Sequence, residues 1–345
     1  MRTDLQNYFN QYHEKIKLID TEDNEVLRTK RDLLVKEITD YLKKKSEEEN
    51  KSRITFVVKN QGSYSMGTGI KPLDGDYDID VMLLFNISKD DYKPVEVKQW
   101  VFDALNKKLY RTVEIKRPCV RVQYKKNGED TYHVDFAVYS ERESNDDKHT
   151  YLAKGYPGSA DDKKIWERSN PKELKEIINN KFTDTDEKAQ FKRVIRYLKR
   201  WKDEKFSSNG NCAPTGIAIT ALALELFKPK VKDIFTSEKE INDFEALTEL
   251  VKAILNRFFL HRISVQLPVL PYNNLFEKMS DQQMKDMENK LKTLKSKLEE
   301  AENEVDPVDA CEILQKALGN IFPVPDAKET GQKRQKAFSS STESA

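Results

Sequence analysis

The chain has 345 residues, with 60 Lys+Arg against 59 Asp+Glu and a formal net charge of +1. That length suits two domains or one large one, and the balanced charge supplies no global basic field for nucleic acid. No apolar run approaches the ~20 residues of a membrane span, the N-terminal MRTDLQNYFNQYHEK lacks a signal-peptide core, and Cys119, Cys212 and Cys311 form no CxxC pair. A cytoplasmic protein without a structural metal is expected.

In chain order, residues 4–50 read as helix with a break near DTEDNE. Val26, Leu33, Val35, Ile38 and Leu42 recur at roughly helical spacing, giving a long amphipathic helix able to brace a domain. RITFVVKNQG (53–62) reads as a strand ending at Gly62. A helical turn over SMGT, a loop with Pro72 and Gly75, and a strand Tyr77–Phe85 follow. Residues 95–110 read as helix. TVEIKRPCVRVQY and TYHVDFAVY read as strands joined by KKNGED, where Asn127-Gly128 is a hairpin signal.

From about residue 160 strand signals become scarce. NPKELKEIINNKF, EKAQFKRVIRYLKRWKD, APTGIAITALALELF and FEALTELVKAILNRFF all carry helical period. MKDMENKLKTLKSKLEEA, apolar at Met284, Met287, Leu291, Leu294, Leu298 and Ala301, reads as a helix packed on its own domain. A last helix near 307–318 ends at Gly319, and the aperiodic tail is expected to be disordered. The expected architecture is α+β: a mixed-sheet domain over 1–160 with N-terminal helices, a helical domain over 161–326 and a tail over 327–345. The default place for a site is the cleft between the two domains.

One stretch concentrates the chemistry. In QGSYSMGTGIKPLDGDYDIDVMLLF (61–85), a Gly-Ser turn precedes aspartates that run into an apolar strand. Side chains at i and i+2 share a strand face, so Asp78 and Asp80 lie together while Ile79, Val81 and Leu83 point to the core. Asp135, mid-strand among Val134, Phe136 and Ala137, supplies a third carboxylate if the two strands are close. Clustered carboxylates repel unless a cation neutralises them. Hard oxygen donors suit Mg²⁺, and two such ions serve in-line phosphoryl displacement. Gly62 lets backbone approach a phosphate and Ser63 can donate to it. Asp74 and Asp76 read as a solvated face.

This ordered set resembles the DNA polymerase β-like nucleotidyltransferase superfamily. Within it the stretch is most similar to the oligoadenylate synthetase and cyclic GMP-AMP synthase group, and above all to its bacterial relatives, the CD-NTases of anti-phage signalling (CBASS). The resemblance covers roughly residues 20–325. It implies a polymerase β-like catalytic domain braced by the long N-terminal helix, followed by an oligoadenylate synthetase-like helical domain. Gly62 and Ser63 match the nucleotide-gripping motif. Asp78 and Asp80 match the metal-binding pair, and Asp135 matches the carboxylate that poises the attacking ribose hydroxyl.

Further along, Lys199 in YLKRW lies near the border of a buried helix face formed by Phe191, Val194, Ile195, Leu198 and Trp201. The resemblance makes it a triphosphate contact, with Arg196 beside it as a further candidate. The competing reading, a solvated basic face, suits Arg193 and Arg200 better. Pro214 suits the first turn of the next helix, and Thr215 stands where the family places a small polar triphosphate contact.

The implied cofactor is Mg²⁺, two ions, with Mn²⁺ as an alternative. Implied partners are NTP substrates (ATP, with GTP, UTP or CTP) and an effector activated by the cyclic product. Ubiquitin-transfer-like enzymes acting on the AFSSSTESA tail are a further implied partner, against the plainer reading of an unstructured terminus. Without ligand spacing for a zinc insertion or a broad basic face, no nucleic-acid activator is expected. The alternative activity is synthesis of linear oligonucleotides or adenylylation of a small molecule or protein.

Overall fold

The computed structural model describes residues 4–18, 22–73, 77–126, 129–207, 212–233 and 239–326. Asp74, Gly75 and Asp76, the Asn127-Gly128 tip and the tail from 327 lie outside these, as does the side chain of Val26. Two helices open the chain, α1 (Gln6–Ile16) and the 27-residue α2 (Glu22–Glu48). On α2 the buried stripe is Leu34, Ile38 and Leu42, four residues apart and so on one face. Leu33, expected in that stripe, is 52% exposed, because one residue earlier on the helix turns its side chain about 100° away.

Seven strands form the sheet. In chain order come β1 (Phe56–Asn60), the single turn α3 (Gly62–Ser65), β2 (Tyr77–Phe85), α4 (Pro94–Leu105), β3 (Arg111–Ile115), β4 (Val120–Lys126), β5 (Glu129–Ser140), β6 (Tyr151–Ala153) and β7 (Trp166–Arg168). The strand order is β1-β2-β5-β4-β3, with β6 paired to the last residues of β5, Tyr139 and Ser140, and β7 paired to β6. β2 and β5 run parallel, and the other pairings are antiparallel. This is an α+β mixed sheet, as expected.

Ile79, Val81, Leu83 and Phe85 point from β2 into a core shared with Leu34, Ile38 and Leu42 of α2 and Val97, Trp100 and Val101 of α4. The opposite face of β2 and β5 carries Met82, Leu84, Ala137 and Tyr139.

Three local readings change. The helical turn after β1 begins at Gly62, not over SMGT, so Gly-Ser itself forms it. The run TVEIKRPCVRVQY is two strands, not one. Pro118 has no N–H for a ladder, and the chain reverses there, with Lys116 N donating to Cys119 O at 2.9 Å. The helix expected over 95–110 stops at Leu105.

The rest is mainly helical: α5 (Pro171–Asn179), α6 (Thr185–Lys205), α7 (Gly216–Leu226), a small hairpin β8 (Val231–Asp233) and β9 (Lys239–Ile241), then α8 (Asp243–Leu255), α9 (Asp281–Asn303) and α10 (Pro307–Leu318). All six apolar positions read on α9 are buried, and α10 is capped at Gly319. The core of α6 is the expected set, joined by Tyr197. α1 packs here as well, with Phe9 and Tyr12 against Tyr197 and Phe322, and with Tyr12 Oη donating to Leu318 O at 2.7 Å. Among the described residues no helix is long and apolar enough to cross a membrane.

The α2 register has a direct test. Leu34→Ala should lower unfolding free energy by about 2–5 kcal/mol, whereas Leu33→Ala should stay within about 0.5 kcal/mol. Urea unfolding of both variants checks it, and equal costs would mean the helix is rotated from the position described.

Candidate active site

The Gly-Ser turn is built by the end of β1 and closed against β2. Gln61 N donates to Asp80 O (3.1 Å), and Thr68 N donates to Ser63 O (2.9 Å). Gly62 has φ +66°, where an L side chain is strained. It also has no room for one, since a Cβ there would lie 1.9 Å from Asp80 Oδ2. Glycine is therefore needed twice over, for the backbone and for the Asp80 carboxylate that lies against it. Arg28 of α2 donates to Tyr64 Oη from Nε (2.9 Å) and Nη2 (2.6 Å), tying the long helix to the turn.

The parallel register sets Asp80 opposite Asp135 and Asp78 opposite His133. Asp135 is buried, and both its oxygens accept from Arg121 of β4, Oδ1 from Nε at 2.7 Å and Oδ2 from Nη2 at 2.6 Å. His133 Nε2 lies 3.1 Å from Asp78 Oδ1. Donor atoms of Asp78, His133 and Asp135 all fall within 4.8 Å of one another. Burial, then the Asp78 and Asp135 carboxylates, push the Asp80 carboxyl up to about 7. Two carboxylates and an imidazole converging beside a third, charge-stressed carboxyl form a donor set that fits a divalent cation.

Lys199 closes the site from the helical side. Buried on α6, its Nζ donates to Thr68 O (3.1 Å) and Thr68 Oγ1 (3.0 Å). Burial first, then the Arg196 and Lys202 charges, lower its pKa to about 7. Arg196 grips the same loop, donating from Nε to Gly69 O (3.1 Å) and from Nη2 to Gly67 O (2.6 Å). Its Nη1 lies 3.0 Å from His13 Nε2, a ring that burial and the Arg196 charge hold down to about 4.

Arg193 and Arg200, read as solvated, are not. Arg193 pairs with the fully buried Asp243, and buried Arg200 donates to Lys71 O at 2.6 Å. The reason is that α6 is wrapped by α8 on one side and by the loop 67–71 on the other.

Gly62, Ser63, Asp78, Asp80, Tyr139, Lys199 and Gly216 line a cleft of about 430 Å³. A second hollow of about 660 Å³ shares Ser169 and Pro171 with it and continues over Met82 and Leu84. Asp135 is buried, is not among the lining residues and pairs with Arg121. Arg196 and Thr215 are not among the lining residues. Arg196 spends its donors on the loop, and Thr215 is the exposed N-cap of α7, its Oγ1 accepting from Ala218 N at 3.2 Å. Pro214 accordingly precedes α7 and does not stand in its first turn.

Sequence reading passed over His133 and Arg121. His133 was within reach, because it lies two residues before Asp135 on the same strand face. Arg121 needed the β4–β5 register, Arg121 opposite Asp135, which no local pattern states.

Gly62→Ala should cost at least about 1 kcal/mol from the backbone alone, plus displacement of Asp80. In an Asp80→Ala background the cost should fall by roughly 0.5–3 kcal/mol. Unfolding curves of the four proteins decide, and an unchanged cost would show that Asp80 does not lie against the turn.

Residues 56–139 match the model of the nucleotidyltransferase domain of cyclic GMP-AMP synthase DncV-like proteins. A cyclic GMP-AMP synthase of Escherichia albertii is 27% identical over 265 residues, covering 72% of this chain and 54% of that protein. A c-di-GMP synthase of Roseivirga ehrenbergii is 24% identical over 247 residues, covering 62% of this chain and 59% of its own length. The chain thus spans between half and two thirds of the length of these relatives. The crystal structure of Vibrio cholerae DncV cyclic AMP-GMP synthase superposes with a TM-score of 0.72 at 18% identity, covering 94% of this chain and 98% of that one. The same enzyme with the linear intermediate 5′ pppA(3′,5′)pG gives the same score. At that identity the superposition establishes a shared fold. The domain match and the two relatives make the chain similar to the CD-NTases, the likeness to their nucleotidyltransferase domain lying at residues 56–139.

Proposed function

We propose that the protein is a Mg²⁺-dependent nucleotidyltransferase that joins nucleoside triphosphates, ATP among them, into a cyclic di- or trinucleotide and releases pyrophosphate at each bond. The observation that carries this reading is that Gly62, Ser63, Asp78, Asp80 and Lys199, drawn from both parts of the chain, face one cleft. The adjoining hollow offers space for a second nucleotide, since sites for ligands of this size run to roughly 300–1,000 Å³. A cyclic product is favoured by the kinship to a cyclic GMP-AMP synthase and a c-di-GMP synthase.

In this reading Asp78, Asp80 and Asp135 hold two Mg²⁺ ions, with Mn²⁺ as an alternative. When bound, the ions stabilise charge on the attacking and leaving oxygens. The bare Cα of Gly62 lets backbone approach the triphosphate, Ser63 donates to it, and Lys199 offsets its charge from the opposite wall. An acceptor ribose hydroxyl attacks the α-phosphorus in line. The new O–P bond forms as the bond to the α,β-bridging oxygen breaks, and the electron pair leaves with pyrophosphate. Asp135 takes the hydroxyl proton, its carboxylate oriented by Arg121. A second transfer within the linear intermediate closes the ring.

The product would activate a separate effector in cytoplasmic anti-phage (CBASS) signalling, and the C-terminal tail would be the segment acted on by ubiquitin-transfer-like enzymes. Arg196 acts as a positioning residue for the loop 67–71, and Thr215 as the cap that orients the start of α7 beside the triphosphate.

The test is incubation of the full chain with Mg²⁺ and all four labelled NTPs, phosphatase treatment, and chromatography with mass spectrometry. Phosphatase-resistant cyclic products are expected, reduced at least about 10²-fold in an Asp78→Asn, Asp80→Asn variant. Only linear oligomers, or transfer only to an added acceptor, would replace this reading with the alternative activity.

Lys199 adds a pH signature. Its lowered pKa leaves the amine largely neutral at pH 8 in the free protein, and a bound triphosphate restores the charge. Nucleotide binding at pH 8 should therefore take up nearly one proton more than in Lys199→Met, an excess that vanishes by pH 6. Calorimetry in buffers of different ionisation enthalpy reads it, and equal uptake in both proteins would remove Lys199 from the triphosphate site.

A further inference from the structure

The metal-binding triad read from the sequence is all oxygen, but the atoms that converge most closely are not. His133 sits on β5 with its side chain 8% exposed, and its Nε2 is 3.1 Å from Asp78 Oδ1. Two bonds of about 2.1 Å at right angles span about 3.0 Å, so these atoms are spaced like neighbouring ligands of one six-coordinate ion. The parallel register fixes this spacing by setting Asp78 opposite His133, and the two-residue period puts His133 and Asp135 on one face. Asp80, by contrast, lies against Gly62, and each Asp135 oxygen already accepts from Arg121. The oxygen donors free to face a cation here are fewer than three carboxylates suggest.

We infer that His133 Nε2 is a direct nitrogen donor in this metal site, which gives the chain a preference for first-row transition ions over Mg²⁺. The inference rests on the nucleotidyltransferase reading above and revises its choice of ion. It makes Mn²⁺, the alternative there, the tighter-bound one and leaves Mg²⁺ as the ion that supports activity when it is the more abundant. Neutral imidazole is a good ligand for ions rising along the Irving–Williams series, while Mg²⁺ keeps to oxygen. The rival is that His133 only orients Asp78 through an N–H hydrogen bond, as outer-shell partners of ligating carboxylates do. The two differ in whether nitrogen touches the ion.

Mn²⁺, which is paramagnetic, is the probe. The full chain is titrated with Mn²⁺ without nucleotide, free ion is read by electron paramagnetic resonance, Mg²⁺ is added as competitor, and ¹⁴N coupling to bound Mn²⁺ is recorded by spin-echo modulation. Imidazole ¹⁴N coupling is expected in the wild-type protein and absent in His133→Asn and His133→Gln. The Mn²⁺-over-Mg²⁺ affinity ratio should fall at least about tenfold in those variants.

Bound Mn²⁺ without ¹⁴N coupling, or an unchanged ratio in the variants, would overturn the inference and leave the nucleotidyltransferase reading standing. Failure to bind any divalent ion, even with a non-hydrolysable ATP analogue, would overturn both. The wild-type spectrum decides the matter even if a variant fails to fold.

Discussion

The parallel pairing of β2 with β5 is the constraint on which the remainder depends. It sets Asp80 beside Asp135 at the edge of an apolar core, and two unit charges ~5 Å apart repel by roughly 3 kcal/mol at an effective dielectric of about 20. A parallel pair also needs a long crossover. Here that crossover is α4 with the β3–β4 hairpin, and the hairpin brings Arg121 to Asp135. The connection that makes the pairing possible therefore also delivers the cation that makes it tolerable.

The positive half of the site is assembled by a different device. Arg196, Lys199 and Arg200 project from one stretch of α6 onto carbonyls of the loop 67–71. On its other side the loop meets the end of α1, where Leu18 N donates to Gly69 O and Lys71 N to Ile16 O. Three buried cations satisfied mainly by neutral carbonyls are expensive to desolvate. The lowered pKa of Lys199 reflects that cost. The loop thus carries the Gly-Ser turn at one end and is gripped by the helical part along its length, so cleft width depends on how α6 sits.

Legibility from sequence followed the range of the interaction. The alternation of β2 and the buried stripes of α6 and α9 are local periodicities, and the cap at Gly319 is a local residue signal, so all were readable as such. The one-residue error at Leu33 arose because a 3–4 spacing admits neighbouring stripes until something packs on one of them. Pro118 was a missed local signal, a residue without N–H inside a supposed strand. Asp78, Asp80 and Asp135 could be singled out as residue types on strands. Their actual arrangement could not, because it depends on the parallel register and on Asp80 turning to Gly62. Arg196 and Lys199 lie three residues apart on one helix, and what separates their surroundings is which loop carbonyl each one reaches.

These two halves bear on each other through charge. The carboxyl of Asp80 is pushed up by burial and then by its like-charged neighbours, and Lys199 is pushed down by burial and then by nearby cations. Each group is therefore held partly in its uncharged form. In the proposed reading, a divalent cation would relieve the first and a triphosphate the second, and the two ligands would attract one another across the same cleft. Binding either one lowers the electrostatic cost of binding the other, and by linkage the coupling is reciprocal. On that reading, a site so arranged would favour the metal–nucleotide complex over either component alone. That preference follows from where the sheet and α6 place their charges, whatever bases the nucleotides carry.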